Sequence, residues 1–383
     1  MTTAFDVRTL GSVVRVELHD SVDETDRERI RDQWVDLIED GVEPDVTIRG
    51  TLDRSSLLDD ANPAVSAASP EHLAATIATE VTLAGIAGLS GAALMLHAGG
   101  VALDDGRVIA LVGPSGRGKT TATQALATTL GYVTDETLAV YPDGTVVPYR
   151  KPLSIGKHPE TKTPVAASQR GLRDLPDAEL RLDAIVVLDR RENVETPYVE
   201  LLPLRDGLNE IVPQTSFLSA LSKPLRTLVT TILATGGVRR VVYSEADTLA
   251  ALVDDMLSAG SIESPQLVDV GVSVGDCGCE AKLNPLGAGE TTTESDSTPL
   301  YQRKDYRDAL SVDDSLVILS HNRVTVLDGL GPVLWFAAED VTEAELVEAA
   351  LREMPAPPEH VDPAQVVAAT VGELIEGGLL VRV

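Results

Sequence analysis

Residues 108–121, VIALVGPSGRGKTT, decide the fold. The first five are apolar and predict a buried strand, and residues 113–120 match the phosphate-binding pattern G-x-x-x-x-G-K-S/T at every fixed position. Residues 120–130 have a helical pattern, so the glycines lie between a strand and a helix. Backbone N–H groups of such a loop surround phosphate oxygens, and the helix start adds partial positive charge. The sequence therefore predicts a nucleoside triphosphate site.

We expect this loop to bind ATP together with Mg²⁺. Lys119 would neutralise the β- and γ-phosphates, and the Thr120 hydroxyl would complete the Mg²⁺ coordination shell. The sequence leaves open whether adenine or guanine is preferred. The predicted cofactor-binding residues are Gly113, Pro114, Ser115, Gly116, Arg117, Gly118, Lys119, Thr120 and Thr121.

The composition narrows the range of partners. A net charge of −29 repels phosphate backbones and anionic lipids, and only 3% of the residues are aromatic, too few for a base-stacking platform. We therefore expect no nucleic acid partner and no membrane partner. An anionic ligand needs a local positive pocket within this acidic surface, which a phosphate-binding loop supplies.

The chain also lacks the usual targeting signals. No basic segment opens it, which predicts no secretory signal and a cytoplasmic protein. Residues 81–103 carry no Asp, Glu, Lys or Arg, but their glycines favour a helix, turn and strand inside the fold over a membrane span. Cys277 and Cys279 are expected to be reduced thiols in a loop.

Four segments are predicted along the 383 residues. Buried strands at 184–188 and 240–243 alternate with helical stretches at 216–234 and 247–258, which indicates a layered α/β domain. Residues 284–300 are small and polar, without a hydrophobic period, as is typical of a linker. The segments are a small α/β lead-in (1–70), the nucleotide-binding domain (71–283), the linker (284–300) and a C-terminal module (301–383).

A phosphate loop needs a carboxylate that holds Mg²⁺ or orients the attacking group. Two candidates compete in the sequence. Asp189 follows the apolar run 184–188, whereas Asp135 and Glu136 follow the loop's own helix after a turn and a short strand.

The second candidate fits a wider resemblance. His97-Ala98-Gly99-Gly100-Val101, then GPSGRGKTT (113–121), then YVTDE (132–136) together resemble the core of the HPr kinase/phosphorylase-related P-loop kinases. In that family a His precedes the loop strand, and a carboxylate pair follows the loop's helix. The family's usual pair is two aspartates, and Glu136 here has a longer reach. The resemblance implies an α/β P-loop kinase core of the HPr kinase/PEP carboxykinase type.

The resemblance also implies roles for individual residues. Asp135 would hold Mg²⁺ with Thr120, Glu136 would accept the proton of an incoming hydroxyl, and His97 would lie near the transferred phosphate. Which of the two carboxylates is the base stays open. The predicted catalytic residues are His97, Lys119, Asp135 and Glu136. Members of that family commonly form oligomers, so a homo-oligomer is also implied.

Several of these residues have simpler interpretations. His97 is equally consistent with a buried histidine hydrogen-bonded for packing. Asp189 is better explained as a strand-end carboxylate beside Arg190 and Arg191. Residues 150–153 are similar to a "KP-L" segment of related kinases, but a solvated basic pair at 150–151 is the preferred interpretation.

The C-terminal module carries a resemblance of its own. Strand candidates at 308–312, 316–320 and 323–327 precede LDGLGPVLW (327–335), helical segments at 332–338, 343–352 and 363–375, and EGGLL (376–380). This order resembles the winged-helix-like PqqD-like peptide-recognition fold, which implies binding of a precursor peptide as an added strand. From the residues alone, Trp335 and the leucines are core positions of a small winged-helix-like domain.

Together these observations predict an ATP-dependent, HPr kinase-like phosphotransferase. Its acceptor would be a Ser or Thr hydroxyl of a peptide or protein held by the C-terminal module. Two alternatives remain. One is a nucleotide-binding accessory protein that presents a precursor peptide to a separate modifying enzyme, and the other is a small-metabolite kinase.

Overall fold

The computed structural model describes residues 3–53, 64–114, 116–155, 163–258, 265–271, 299–320, 323–356, 358 and 360–383. The chain divides into two compact units, Met1–Glu263 and Ser264–Val383, and both contain helices and strands. It is therefore a mixed α/β protein, as predicted. The predicted linker lies outside the described residues except for its last two positions, and so do Cys277 and Cys279.

The described residues of the first unit form three main sheets and a short hairpin. Its helices are α1 (Glu24–Asp32), α2 (Pro70–Gly88), α3 (Lys119–Leu126), α4 (Leu204–Ile211), α5 (Pro224–Ala234) and α6 (Val253–Leu257). Its strands are β1 (Thr3–Arg8), β2 (Val13–Leu18), β3 (Val46–Thr51), β4 (Ala64–Ser66), β5 (Leu94–Leu96), β6 (Ala98–Ala102), β7 (Arg107–Val112), β8 (Gly131–Thr134), β9 (Leu138–Val140), β10 (Val146–Val147), β11 (Leu153–Ile155), β12 (Thr163–Val165), β13 (Arg181–Arg190), β14 (Tyr198–Leu201), β15 (Thr215–Ser216) and β16 (Val238–Tyr243).

The N-terminal sheet has the strand order β1-β2-β3-β4. Asp23 caps α1, since its side chain accepts from the backbone N–H of Asp26. Helix α2 starts after the cap Ser69 with proline at its first position, and it packs Leu73 and Ile77 into the core of this sheet. The predicted lead-in thus shares its core with a helix from the next predicted segment.

The central sheet has the order β14-β16-β13-β7-β6-β8 and carries the glycine-rich loop after β7. Strand β7 is parallel to β13 and antiparallel to β6, and β6 is antiparallel to β8. The ends of β7 and β8 and the start of β6 therefore lie at one edge of the sheet. Strands β6 and β7 form a hairpin that turns at Asp104-Asp105-Gly106, a sequence typical of tight turns.

A smaller sheet has the strand order β10-β9-β5-β15. Two of its strands, β5 and β9, are neighbours in the chain of the central strands β6 and β8. The chain passes from this sheet into the central sheet at His97, between β5 and β6, and it returns at residues 135–137, between β8 and β9. Leu96 pairs with Leu138 across β5 and β9. This single pairing brings the two crossings side by side.

Two long helices predicted from the sequence are interrupted. The predicted helix 216–234 begins only at Pro224, because Phe217 adopts a left-handed backbone conformation (φ 54°) ahead of a short 3-10 turn. The predicted helix 247–258 is a 3-10 helix, Ala246–Leu252, followed by α6. The charge-free stretch 81–103 forms the end of α2, a turn, β5 and β6. None of the described helices is long and apolar enough to cross a membrane.

The second unit has two small sheets and three α-helices among its described residues. The sheets have the orders β17-β19-β20-β21 and β22-β18-β23, and Trp335 is buried in the core that they share with the helices. The helices are α7 (Leu330–Ala337), α8 (Glu343–Glu353) and α9 (Pro363–Glu376), and the strands are β17 (Leu267–Gly271), β18 (Tyr301–Arg303), β19 (Asp308–Val312), β20 (Ser315–Ser320), β21 (Arg323–Leu327), β22 (Glu339–Val341) and β23 (Leu380–Arg382).

Strand β17 was not anticipated from the sequence. It belongs to a stretch that the sequence analysis assigned to the nucleotide-binding segment (71–283), but it pairs antiparallel with β19 of the second unit. The division between the units therefore falls at 263/264, ahead of the predicted linker.

Candidate active site

The glycine-rich loop is curled between β7 and α3. Gly116 (φ 82°) and Gly118 (φ 89°) both adopt the left-handed conformation, which side chains with a Cβ disfavour. Ser115 lies outside the described residues. Gly118 caps α3 without any side-chain hydrogen bond, so no cap side chain occupies the N–H groups of the first helical turn. A curled turn with uncapped amides fits a polyphosphate.

Lys119 folds back over this loop. Its Nζ donates to the Gly113 carbonyl at 2.6 Å, and the side chain is buried. Burial lowers the pKa of Lys119, while the charges of Glu136 and Asp135 oppose that change. The ammonium group is thus held at the loop and within the electrostatic influence of the carboxylate pair.

The hydroxyl groups of the first helical turn are also available. Within the described part of the chain, Thr120 Oγ1 forms no hydrogen bond, and Thr121 is exposed. Mg²⁺ in nucleotide sites usually takes one or two protein oxygens and fills its shell with phosphate oxygens and water. Among the described residues, no group of three or more His, Cys, Asp or Glu could hold a metal by itself. The Thr120 hydroxyl therefore fits the ligand role that its position in the motif predicts.

The sheet topology places His97 and the carboxylate pair at the edge where the loop begins. Ala98 pairs with Val112, so His97 lies beside the start of the loop, and Gly100 pairs with Thr134, the residue before Asp135. The backbone N–H of His97 donates to the Gln214 carbonyl at 2.6 Å. The structure thus brings together the four residues predicted to be catalytic.

His97 is half-buried and electrostatically coupled to this group. Its pKa is lowered, mainly by burial and then by the charge of Lys119, while Glu136 opposes the change. The imidazole is consequently neutral at pH 7. A neutral imidazole beside a phosphate site can donate one hydrogen bond and accept another.

The two carboxylates differ in exposure. Only 4% of the Asp135 side chain is exposed, and its Oδ1 accepts from the Tyr132 hydroxyl at 3.2 Å. By contrast, 42% of the Glu136 side chain is exposed. Burial alone would raise the pKa of Glu136, but Lys151, His97 and Lys119 together hold that pKa below its ordinary value. Glu136 is therefore the accessible, ionised carboxylate of the pair.

Lys151 links the two carboxylates, and the sequence analysis missed it. Its Nζ lies 2.6 Å from Glu136 Oε2 and 3.8 Å from Asp135 Oδ1. The expectation of a solvated basic pair at 150–151 is wrong for Lys151, because only 5% of its side chain is exposed. The pKa of Lys151 is raised: burial opposes this, but the two carboxylates outweigh it. The similarity of residues 150–153 to the "KP-L" segment was the one signal for this role.

The segment before Lys151 is fixed in place next to β8. Tyr149 donates its backbone N–H to the Val133 carbonyl at 3.1 Å, and its buried hydroxyl hydrogen-bonds to Thr82 Oγ1 at 2.9 Å. Arg150 turns away from the carboxylates and donates to Asp174 Oδ1 at 2.7 Å. The two neighbouring cations therefore have different partners.

Asp189, the competing candidate, is engaged elsewhere. Its Oδ2 accepts from Arg191 Nη2 at 2.6 Å at the end of β13, the ion pair that the sequence analysis preferred. Arg190 instead donates to the Ser244 carbonyl at 2.7 Å.

Comparisons with known proteins found similarity among solved structures only. No protein-family model matches the chain, and no curated protein matches it. Among solved structures, the HPr(Ser) kinase/phosphatase from Coxiella burnetii matches with 12% sequence identity and a TM-score of 0.25, over 43% of this chain and 93% of that one. Similarity at this level does not define a function, so the geometry of the site itself supports the proposal that follows.

Proposed function

We propose that this protein is an ATP-dependent, HPr kinase-like kinase that transfers the γ-phosphoryl group to a Ser or Thr hydroxyl of a peptide or protein. One observation carries the proposal: His97, Asp135 and Glu136 lie at the sheet edge where the phosphate loop begins, and Lys151 ties the two carboxylates together. A structural ion pair alone does not explain why a phosphate loop, a neutral imidazole and an exposed carboxylate meet at one edge.

ATP and Mg²⁺ would occupy the loop side of the site. The amides of the loop and Lys119 would bind the phosphates, and Thr120 with Asp135 would hold Mg²⁺, which neutralises charge that develops on the phosphate oxygens. The buried position of Asp135 suits a ligand that must stay fixed. The low exposure of Lys119 strengthens its attraction for phosphate, because less water screens the charge.

Glu136 is the stronger candidate for the base. It is ionised and 42% of its side chain is accessible, so it can accept the proton of the incoming hydroxyl. As that O–H bond breaks, the acceptor oxygen bonds to the γ-phosphorus, and the bond from phosphorus to the β–γ bridging oxygen breaks with ADP as the leaving group. His97 is placed to hydrogen-bond the transferred group.

The second unit would hold the peptide. In the sheet β17-β19-β20-β21, strand β21 pairs with β20 and has no strand on its outer side among the described residues. Open edges of this kind accept an extended peptide through backbone hydrogen bonds. This supports a winged-helix-like, PqqD-like role for the second unit. The first unit would be the P-loop kinase core of the HPr kinase/PEP carboxykinase type.

A second candidate is supported by one contact. The 2.6 Å ion pair between Lys151 and Glu136 engages Oε2 and lowers the pKa of Glu136, which makes the carboxylate a weaker base. If the pair stays closed, the protein binds a nucleotide without transferring phosphate and acts as an accessory that presents a precursor peptide to another enzyme.

Mass spectrometry of candidate peptides incubated with the protein, Mg²⁺ and ATP tests the proposal. A phosphorylated Ser or Thr is expected with the native chain, none with Lys119→Ala, and a loss of about 100-fold or more in rate with Glu136→Gln. Lys223→Ala, which removes an exposed lysine of the same unit, is the control and should retain the native rate.

Nucleotide binding without a phosphorylated acceptor would favour the accessory role. A phosphorylated metabolite, formed even without residues 301–383, would indicate a small-metabolite kinase.

A further inference from the structure

A cavity of about 310 Å³ opens beside the start of α3, away from the carboxylate pair. Thr121 and Ala125 line it from α3, and Arg190 lines it from the end of β13. Tyr243, at the end of β16, and Ala246 and Asp247, just after it, complete the wall. None of these side chains belongs to the proposed catalytic group, which consists of His97, Lys119, Asp135 and Glu136.

The cavity and the catalytic group lie on opposite sides of the loop strand. In the order β14-β16-β13-β7-β6-β8, the cavity is formed at the ends of β13 and β16, whereas His97 and the carboxylates adjoin β6 and β8. Strands β16 and β8 are four inter-strand spacings apart, about 19 Å. The loop therefore lies between two separate binding regions.

This arrangement assigns a direction to a bound nucleotide. The group that is transferred must face Glu136, so the terminal phosphate lies on the β6–β8 side of the loop. The cavity meets the loop at Gly118 and the helix at Thr121, at the opposite end of the polyphosphate. The part of the nucleotide that enters the cavity is then its nucleoside.

The chemistry of the cavity wall suits a nucleoside. Only 1% of Tyr243 is exposed, and its hydroxyl lies 4.0 Å from the place where a Cβ on Gly118 would stand. Within the described residues, that hydroxyl has no hydrogen-bond partner. Its oxygen is not among the fully buried polar atoms that lack a partner, so it reaches the cavity and can donate to or accept from a ligand there.

Further groups complete the match. Ala125 and Ala246 offer small apolar surfaces on which a flat base can lie, while the exposed carboxylates of Asp247 and Glu245 can accept hydrogen bonds from sugar hydroxyls. Arg190 keeps Glu245 nearby, with Arg190 Nη2 3.5 Å from Glu245 Oε2.

We propose that this cavity binds the nucleoside of the nucleotide, with the Tyr243 hydroxyl and the Asp247 carboxylate as its polar contacts. The polyphosphate then runs from Thr121 across the loop toward Asp135 and Glu136. The inference rests on the proposed nucleotide site and adds where the nucleoside lies and which residues recognise it.

Calorimetric titration of the full chain with ATP and with inorganic tripolyphosphate, both with Mg²⁺, tests the proposal. The native chain should bind ATP more tightly than tripolyphosphate. Ala246→Trp fills the cavity and should weaken ATP binding at least tenfold while leaving tripolyphosphate binding unchanged. Ala250→Trp, at an exposed position of the same 3-10 helix, is the matched control and should change neither affinity.

A second, more conservative substitution tests the proposal in case Ala246→Trp misfolds. Tyr243→Phe removes the hydroxyl without changing the volume, and it should weaken ATP several-fold with no effect on tripolyphosphate. If Ala246→Trp loses both ligands, Tyr243→Phe decides the matter, and an unchanged ATP affinity there overturns the inference. Equal affinity of the native chain for the two ligands also overturns it but leaves the loop assignment standing. Binding of neither ligand rejects the nucleotide site itself.

Discussion

Lys151 is the residue whose placement changes the chemistry of the site most. It is buried beside Asp135 and Glu136, and its charge and hydrogen bond lower the pKa of Glu136. A buried cation this close to a carboxylate stabilises the ionised form, because little water screens the pair. Glu136 can therefore be ionised at neutral pH in spite of its partial burial.

Replacing Lys151 with Met should move the pH profile of the reaction. Without Lys151, burial still raises the pKa of Glu136, while the largest opposing charge is gone. The base would then be protonated over a wider acidic range, so the acid limb of kcat/KM should shift to higher pH. The loss of rate relative to the native chain should be larger near pH 5 than near pH 8. Arg150→Met, which removes the neighbouring cation paired with Asp174, should leave the limb in place.

The same substitution should also destabilise the protein. Asp135 would lose its buried partner, and an uncompensated buried charge costs about 3–5 kcal/mol. Chemical denaturation would measure this. A uniform drop in rate at every pH, with no shift of the limb, would mean that Lys151 has only a structural role.

At the scale of elements, the position of α3 depends on a glycine in the neighbouring strand. A Cβ added to Gly99 in β6 would lie 2.0 Å from Thr123 Oγ1 in α3. The absence of a side chain at Gly99 therefore lets the loop's helix pack directly on the strand that follows His97. This close approach fixes the position of the loop relative to the imidazole of His97.

Gly99→Ala should consequently cost about 1–3 kcal/mol of stability and weaken nucleotide binding, because α3 must shift away from β6. Gly372→Ala is the control: it lies within α9, where an added Cβ meets nothing within 4 Å, and it should leave stability equal or slightly higher. Thermal unfolding and nucleotide titration would check both variants. Normal ATP affinity in a well-folded Gly99→Ala protein would show that the contact does not position the loop.

Local patterns in the sequence predicted the elements around the loop well. The strand before it and the helix after it depend on neighbouring residues, and the structure has both. The sheet formed by β5, β9, β10 and β15 was missed, because its strands are two or three residues long and β5 pairs with β9 and β15 across long stretches of chain. Lys151 was misjudged for the same reason, since its burial depends on a return of the chain alongside β8.

At the scale of the whole molecule, β17 decides where the chain can be divided. It precedes the predicted linker, yet its partner β19 lies about forty residues further along, beyond the reach of any local pattern. A chain that stops after Glu263 ends at the division between the units, whereas one that stops at residue 283 retains β17 without its partner strand.

We therefore expect the chain ending at Glu263 to bind a nucleotide like the full protein but to phosphorylate no peptide. The chain ending at residue 283 should self-associate more strongly, because an unpaired strand offers its backbone to other molecules. Light scattering and nucleotide titration would compare the two. Peptide phosphorylation at the native rate by the shorter chain would contradict a peptide-binding role for the second unit.

The pairing of Leu96 with Leu138 connects the proposed catalytic residues to buried side chains outside the site. His97 directly follows Leu96, and Asp135 lies three residues before Leu138. Any repacking of the small sheet should therefore displace His97 and Asp135 together. In a saturation mutagenesis screen, Leu94–Leu96 and Leu138–Val140 should yield an excess of folded but inactive variants. Equally buried positions of β2 should mostly yield variants that are either active or unfolded.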